Sequence, residues 1–184
     1  MELYPLKFFP IYKNKIWGGN RLKTYLNREI KQDNVGESWE ISGVNGEYSC
    51  VQNGSLKGQL LPDLIQKYNH QLVGEKVYSQ FKEKFPLLIK FIDAADTLSV
   101  QLHPDDELAQ KRHQSFGKTE MWYIVDHDPD AFIIADFEKK YLETSSFHQL
   151  MLTDPIISHE HHPRAPYYTP LSADKRYRVS GYLA

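Results

Sequence analysis

From Leu98 to His103 the chain alternates without interruption: Leu98, Val100 and Leu102 are apolar, while Ser99, Gln101 and His103 are polar. Successive side chains of a strand point to opposite faces, so this period of two buries one trio and lines the other along a second face. The segment therefore belongs to a sheet with one face packed and one face carrying polar groups. Leu87 to Asp93 is almost wholly apolar and reads as a central strand.

The same logic extends along the chain. Phe8 to Tyr12 reads as an edge strand, because Pro10 cannot donate to an interior ladder. Trp17-Gly18-Gly19 reads as a turn, Arg21 to Leu26 as a helical turn and Asn34 to Gly36 as a loop. Glu37 to Ser42 and Tyr48 to Val51 read as strands, the second closed by the turn pair Asn53-Gly54. Over residues 61–72 the period changes: Leu61, Leu64, Ile65, Tyr68 and Leu72 recur at helical spacing, with Pro62 and Asp63 at the start and Gly74 beyond the end. Glu75 to Lys84 is a second short helix. Pro104 to Glu107 opens a third, with acids first and Lys111-Arg112 last, which complements the helix dipole. Glu120 to Val125 and Ala131 to Asp136 form two more strands around a hairpin at Asp126 to Asp130.

The fold class expected is mainly β: a cupin-like or jelly-roll antiparallel barrel with short inserted helices. The expected organisation is one unit over residues 1–137, with its helical insert at about 61–84. Residues 138–184 form a divergent tail, because Pro163, Pro166 and Pro170 forbid regular structure around them.

Charge narrows the partners. With 22 basic and 24 acidic residues the net charge is −2, and no basic stripe argues for nucleic acid. No apolar run approaches the roughly 20 residues that span a bilayer. The single Cys50 excludes an internal disulfide framework and suits a reducing compartment. A cytoplasmic protein with no membrane or nucleic-acid partner is expected.

The polar trio suggests chemistry. Gln101 and His103 share a face and can lean onto one ion, with a carboxylate arriving from a neighbouring strand about 4.8 Å away. Glu120 is the candidate, and Lys118, two residues earlier, shares its face with Trp122 and Ile124. One amide, one imidazole and one carboxylate leave a dication net positive, hence a strong Lewis acid, and mixed N/O donors suit zinc first, with manganese, iron or cobalt open. A Gln-x-His pair on a strand is by itself also the pattern of a hydrogen-bonded surface pair.

Five stretches set these residues in a longer pattern: Lys15-Ile16-Trp17-Gly18-Gly19, Gly36 to Ser42, Phe85 to Phe91, Leu98 to Asp106 and Gly117 to Tyr123. In order and spacing the chain resembles the type I phosphomannose isomerases over roughly residues 4 to 137. The resemblance implies a cupin-like core, one bound zinc and a sugar-phosphate substrate, with interconversion of mannose 6-phosphate and fructose 6-phosphate. It implies Gln101, His103 and Glu120 as metal ligands, Ser99, Lys90 and Lys118 as pocket residues, and Lys118 as candidate proton carrier or holder of charge on the substrate. The family's fourth ligand lies in a later segment without a counterpart here. His159, His161 or His162 are its possible substitutes, and Arg178 echoes a later active-site arginine. The competing expectation is therefore a cupin-like protein that binds metal or sugar phosphate without turnover. A metal-dependent oxygenase, which usually needs two histidines and a carboxylate, ranks behind both.

Overall fold

The computed structural model describes residues 3–98, 103–129, 131 and 182–183. Among them an antiparallel sheet runs in the order β1-β2-β3-β5-β4. Its strands are β1 (Ile11–Gly19), β2 (Val35–Ser42), β3 (Leu88–Ile92), β4 (Met121–Trp122) and β5 (Tyr182–Leu183). The helices are α1 (Arg21–Thr24), α2 (Leu61–Tyr68), α3 (His70–Val73), α4 (Glu75–Phe81) and α5 (Asp106–His113). The mainly β, cupin-like class with short inserted helices holds.

β3 lies at the centre, as its apolar content predicts, with β2 beside it. Register pairs Glu37 with Ile92, Ser38 with Phe91 and Trp39 with Lys90. Directly paired residues share a face, so Glu37, Trp39, Lys90 and Ile92 point one way, and Ser38 and Phe91 the other. On that second face Arg28 donates to both carboxylate oxygens of Glu40 at 2.7 and 2.9 Å and to Ser38 Oγ at 2.8 Å. Its guanidinium also lies 5.9 Å from the Phe91 ring centroid. The two faces thus divide: one is closed by a satisfied ion pair, the other gathers the candidate site residues.

Several local expectations are corrected. Trp17-Gly18-Gly19 lies within β1, yet the chain does deviate there: Asn14 and Gly19 both pair with Val35, so residues 15–18 bulge out of register. Gly18 is needed at that point, because a Cβ would collide with the Asn34 carbonyl and the Gly36 nitrogen, both fixed backbone. The loop expected at Asn34 to Gly36 yields to β2 from Val35 onward. The edge strand begins at Ile11, and Phe8 makes only an isolated bridge to Val51. Tyr48 to Val51 reduces to that bridge and one between Cys50 and Leu60.

The single helix over 61–72 is two. α2 stops at Asn69, whose φ of 51° lets the chain turn before α3 restarts; asparagine tolerates that region better than most residues. Gly74 then separates α3 from α4, which ends at Phe81 rather than Lys84. The apolar spacing nonetheless does its work. Leu64 packs with Val51 and Leu56, and Tyr68 and Leu72 flank the cluster. Leu64 is fully buried, so Leu64→Ala is expected to cost about 2–5 kcal/mol, read as a lower denaturation midpoint at an unchanged slope.

α5 forms as its ends predict. Asp105 accepts from Leu108 N at 2.9 Å, Asp106 and Glu107 sit in the first turn, and Lys111, Arg112 and His113 in the last. The strand expected over Glu120 to Val125 is reduced to Met121–Trp122, the two residues that pair with β5. Beyond it the chain leaves the ladder, and Arg21 donates to Asp126 at 2.7 Å and Asp128 at 2.8 Å. From the segment read as a tail, Tyr182–Leu183 lies in the sheet between β3 and β4. The expected strand Ala131 to Asp136 lies outside the described residues beyond Ala131, as does the strand at Leu98 to His103 over residues 99–102.

Candidate metal centre

His103 and Glu120 are brought together by the excursion that carries α5. Its base is closed by Lys118 N donating to Pro104 O at 3.2 Å and Gly117 N donating to Asp106 Oδ1 at 2.8 Å. The closure requires glycine at 117, where a Cβ would stand 2.6 Å from the Asp105 carbonyl carbon and the Asp106 nitrogen. His103, one residue before the closure, then faces Lys118 and Glu120, just after it.

The three side chains converge. His103 Nε2 lies 3.3 Å from Glu120 Oε2. Lys118 Nζ lies 3.0 Å from Glu120 Oε1 and 3.2 Å from His103 Nε2. A protonated Nε2 donates to Glu120, whereas an unprotonated one has a single lone pair, which accepts from Lys118 here and would have to be released to a cation. Trp122 Nε1 donates to Glu120 Oε2 at 3.5 Å. Burial opposes the Glu120 charge, but the hydrogen bonds from His103 and Lys118 and the charge of Lys118 outweigh it and hold the carboxyl at about 2.

That depression has a consequence for the metal-free protein. The folded state binds the Glu120 proton only near pH 2, against an ordinary value of 4.5. The stabilisation is complete above pH 4.5 and is lost as pH falls toward 2, on the order of 3 kcal/mol in full. In the presence of chelator, the stability gap between wild type and Glu120→Gln is expected to narrow through that window. Denaturant midpoints at pH 7, 5, 4 and 3 check it.

The donor chemistry suits a dication. Two ligands at the 2.0–2.1 Å typical of zinc stand about 3.3 Å apart at a tetrahedral angle, and the His103–Glu120 separation agrees. Among the described residues no group of three or more His, Cys, Asp or Glu side chains assembles. Gln101 and Ser99 lie outside the described residues, as do His159, His161, His162 and Arg178.

Lys90 joins the site from β3. Its partner in register is Tyr182, which also pairs with Trp122, so Lys90 and Trp122 are aligned two strands apart, roughly 10 Å. Burial lowers the Lys90 pKa; Glu37 opposes the shift and the Lys118 charge adds to it. Glu37 was not singled out as a functional residue by sequence reasoning, although it stands in the Gly36 to Ser42 motif. It is buried, 3.5 Å from Lys90 Nζ and 3.6 Å from Lys15 Nζ, and accepts from Trp39 Nε1 at 2.7 Å. The signal that could have found it is the alternation of β2, which gives Glu37 and Trp39 one face.

Residues 5–147 match the model for the phosphomannose isomerase type I catalytic domain. The chain is 40% identical over 136 residues to mannose-6-phosphate isomerase ManA of Bacillus subtilis, covering 73% of this chain and 41% of that protein. It is 42% identical over 129 residues to mannose-6-phosphate isomerase of Streptococcus mutans, covering 70% and 39%. The crystal structure of the mannose 6-phosphate isomerase from Bacillus subtilis superimposes with a TM-score of 0.62 at 27% identity, covering 97% of this chain and 56% of that one. The chain thus spans about two-fifths of the length of these curated relatives.

Proposed function

The chain belongs to the type I phosphomannose isomerase family, and from that premise we propose that it is a metal-dependent aldose–ketose isomerase interconverting mannose 6-phosphate and fructose 6-phosphate. The observation that carries the reading is the meeting of His103, Glu120 and Lys118 within 3.3 Å of one another. His103 and Glu120, with Gln101, are the residues assigned to hold the cation, zinc in the first instance and one per chain. When bound, such a cation supplies Lewis-acid chemistry toward the carbonyl and hydroxyl oxygens of the sugar.

The protein's own groups carry the remaining roles. Lys118 Nζ moves the proton between C1 and C2, and its contact with an ionised Glu120 fixes where it stands. Lys90 and Ser99 are the residues assigned to the anionic end of the substrate. We assign these groups to one unit over residues 1–137, to whose sheet Tyr182–Leu183 adds a strand. Among the described residues no helix is long and apolar enough to cross a membrane, and we assign the enzyme to the cytoplasm, where Cys50 stays reduced.

The test measures metal per purified chain beside a coupled assay for fructose 6-phosphate formed from mannose 6-phosphate. Metal with turnover supports the isomerase. Metal without turnover replaces it by a cupin-like protein that binds metal or sugar phosphate only. Neither metal nor turnover overturns both.

A further inference from the structure

Lys90 and Glu37 form a buried pair on the site face of the sheet, and each is more than nine-tenths shielded from solvent. A long lysine side chain normally carries considerable rotamer freedom, and an ammonium placed to meet an anion loses affinity when it must first be ordered. Here the ordering is built in. Trp39 Nε1 donates to Glu37 Oε2, the same oxygen that lies 3.5 Å from Lys90 Nζ. Trp39 is itself Lys90's register partner across β2 and β3. Its ring is covered by Lys13, whose Nζ stands 4.6 Å from the centroid. Lys15, from the bulge of β1, reaches the other oxygen of Glu37 at 3.6 Å. One carboxylate therefore gathers two lysines from two strands and is aimed by an indole from its own strand.

We propose that Glu37 is a positioning residue: it holds the Lys90 ammonium against the wall of the site, with Trp39 fixing the carboxylate, so that Lys90 meets the anionic group of the substrate already ordered. The inference deepens the sugar-phosphate isomerase reading and rests on it for the identity of that anion. Glu37 touches no reacting atom in this scheme and acts through Lys90 alone.

Two readouts test it. In the full chain, the rate at which Lys90 is reductively methylated, followed by mass spectrometry, is expected to rise at least tenfold in Glu37→Gln and several-fold in Trp39→Phe. It is expected to stay unchanged in Glu40→Gln, which damages the ion pair on the opposite face of the sheet and so reports general loosening. Calorimetry with mannose 6-phosphate is expected to show about tenfold weaker binding in Glu37→Gln, with no further loss when Glu37→Gln is added to Lys90→Gln.

An unchanged Lys90 methylation rate in Glu37→Gln overturns the inference whatever the substrate. So does a Glu37→Gln effect on binding that persists in full in the Lys90→Gln background, since Glu37 would then act on its own. Equal acceleration in Glu40→Gln also overturns it, because the change would be general loosening. If wild type binds no mannose 6-phosphate while the methylation pattern appears as expected, the hold on Lys90 is supported and the sugar-phosphate reading falls.

Discussion

Glu120→Ala is expected to reduce bound metal from about one ion per chain to near zero and to remove isomerase turnover with it. Gln101 and His103 are neutral donors, so Glu120 supplies the only negative charge of the proposed set. It is also held ionised far below physiological pH, ready to bind without first losing a proton. Loss of residues that merely orient a ligand commonly costs 10–100-fold in metal affinity, and loss of a charged ligand should exceed that. The substitution leaves the Lys118 ammonium beside His103 with no carboxylate between them, which works against a second cation at the same place. Lys118 is partly exposed and can turn to water, so the fold should survive. Metal analysis after gel filtration, with circular dichroism as the control for folding, gives the result. Full stoichiometric metal in the variant would remove Glu120 from the ligand set.

Lys118→Met should act on a different quantity. Methionine keeps an unbranched apolar stem but has no ammonium, so it removes the proposed proton carrier while adding no new charge. Positioned acid–base groups commonly contribute 10²–10⁴-fold, and kcat is expected to fall within about that range. Metal content should remain near that of wild type, because Lys118 touches both His103 and Glu120 without being a ligand. The split between rate and metal is the diagnostic. A parallel fall in both would mean that Lys118 only supports the two ligand side chains, and the proton would need another carrier.

The pairing of Lys118 with Glu120 was legible from the sequence. Residues two apart in an extended segment share a face, and that short-range rule applies even though the ladder itself extends only over Met121–Trp122. α5 was legible too, since Asp105, the acids after it and the bases at its end act on backbone groups within one turn. α2 was legible as a helix but not in its length: the apolar spacing runs through Asn69 to Leu72, while the backbone breaks at Asn69. Periodicity records which side chains face the core. It does not record a single residue that changes the direction of the chain.

Other features had little local trace. The bulge at residues 15–18 arises because β1 must pair with β2 while Gly18 bridges Ala94, and the Gly18-Gly19 pair signals a deviation without showing that it lies inside a paired strand. Tyr182–Leu183 joins the sheet through a partner on each side, although two residues are too few to display a period. Glu37 stood in plain view as a strand residue. Its role emerged only when register set Trp39 opposite Lys90.

The sequence by itself determined the β class, the central place of Leu88–Ile92, the ends of α5 and the residue types offered to a dication. Each of these is decided by neighbours within about four positions, through side-chain alternation, capping and apolar spacing. Only the tertiary structure decided that His103 reaches Glu120 and that Glu37 reaches Lys90. The first depends on a loop closed at Gly117 and the second on strand register, and both are set by backbone contacts between segments too far apart in sequence for any local pattern to encode.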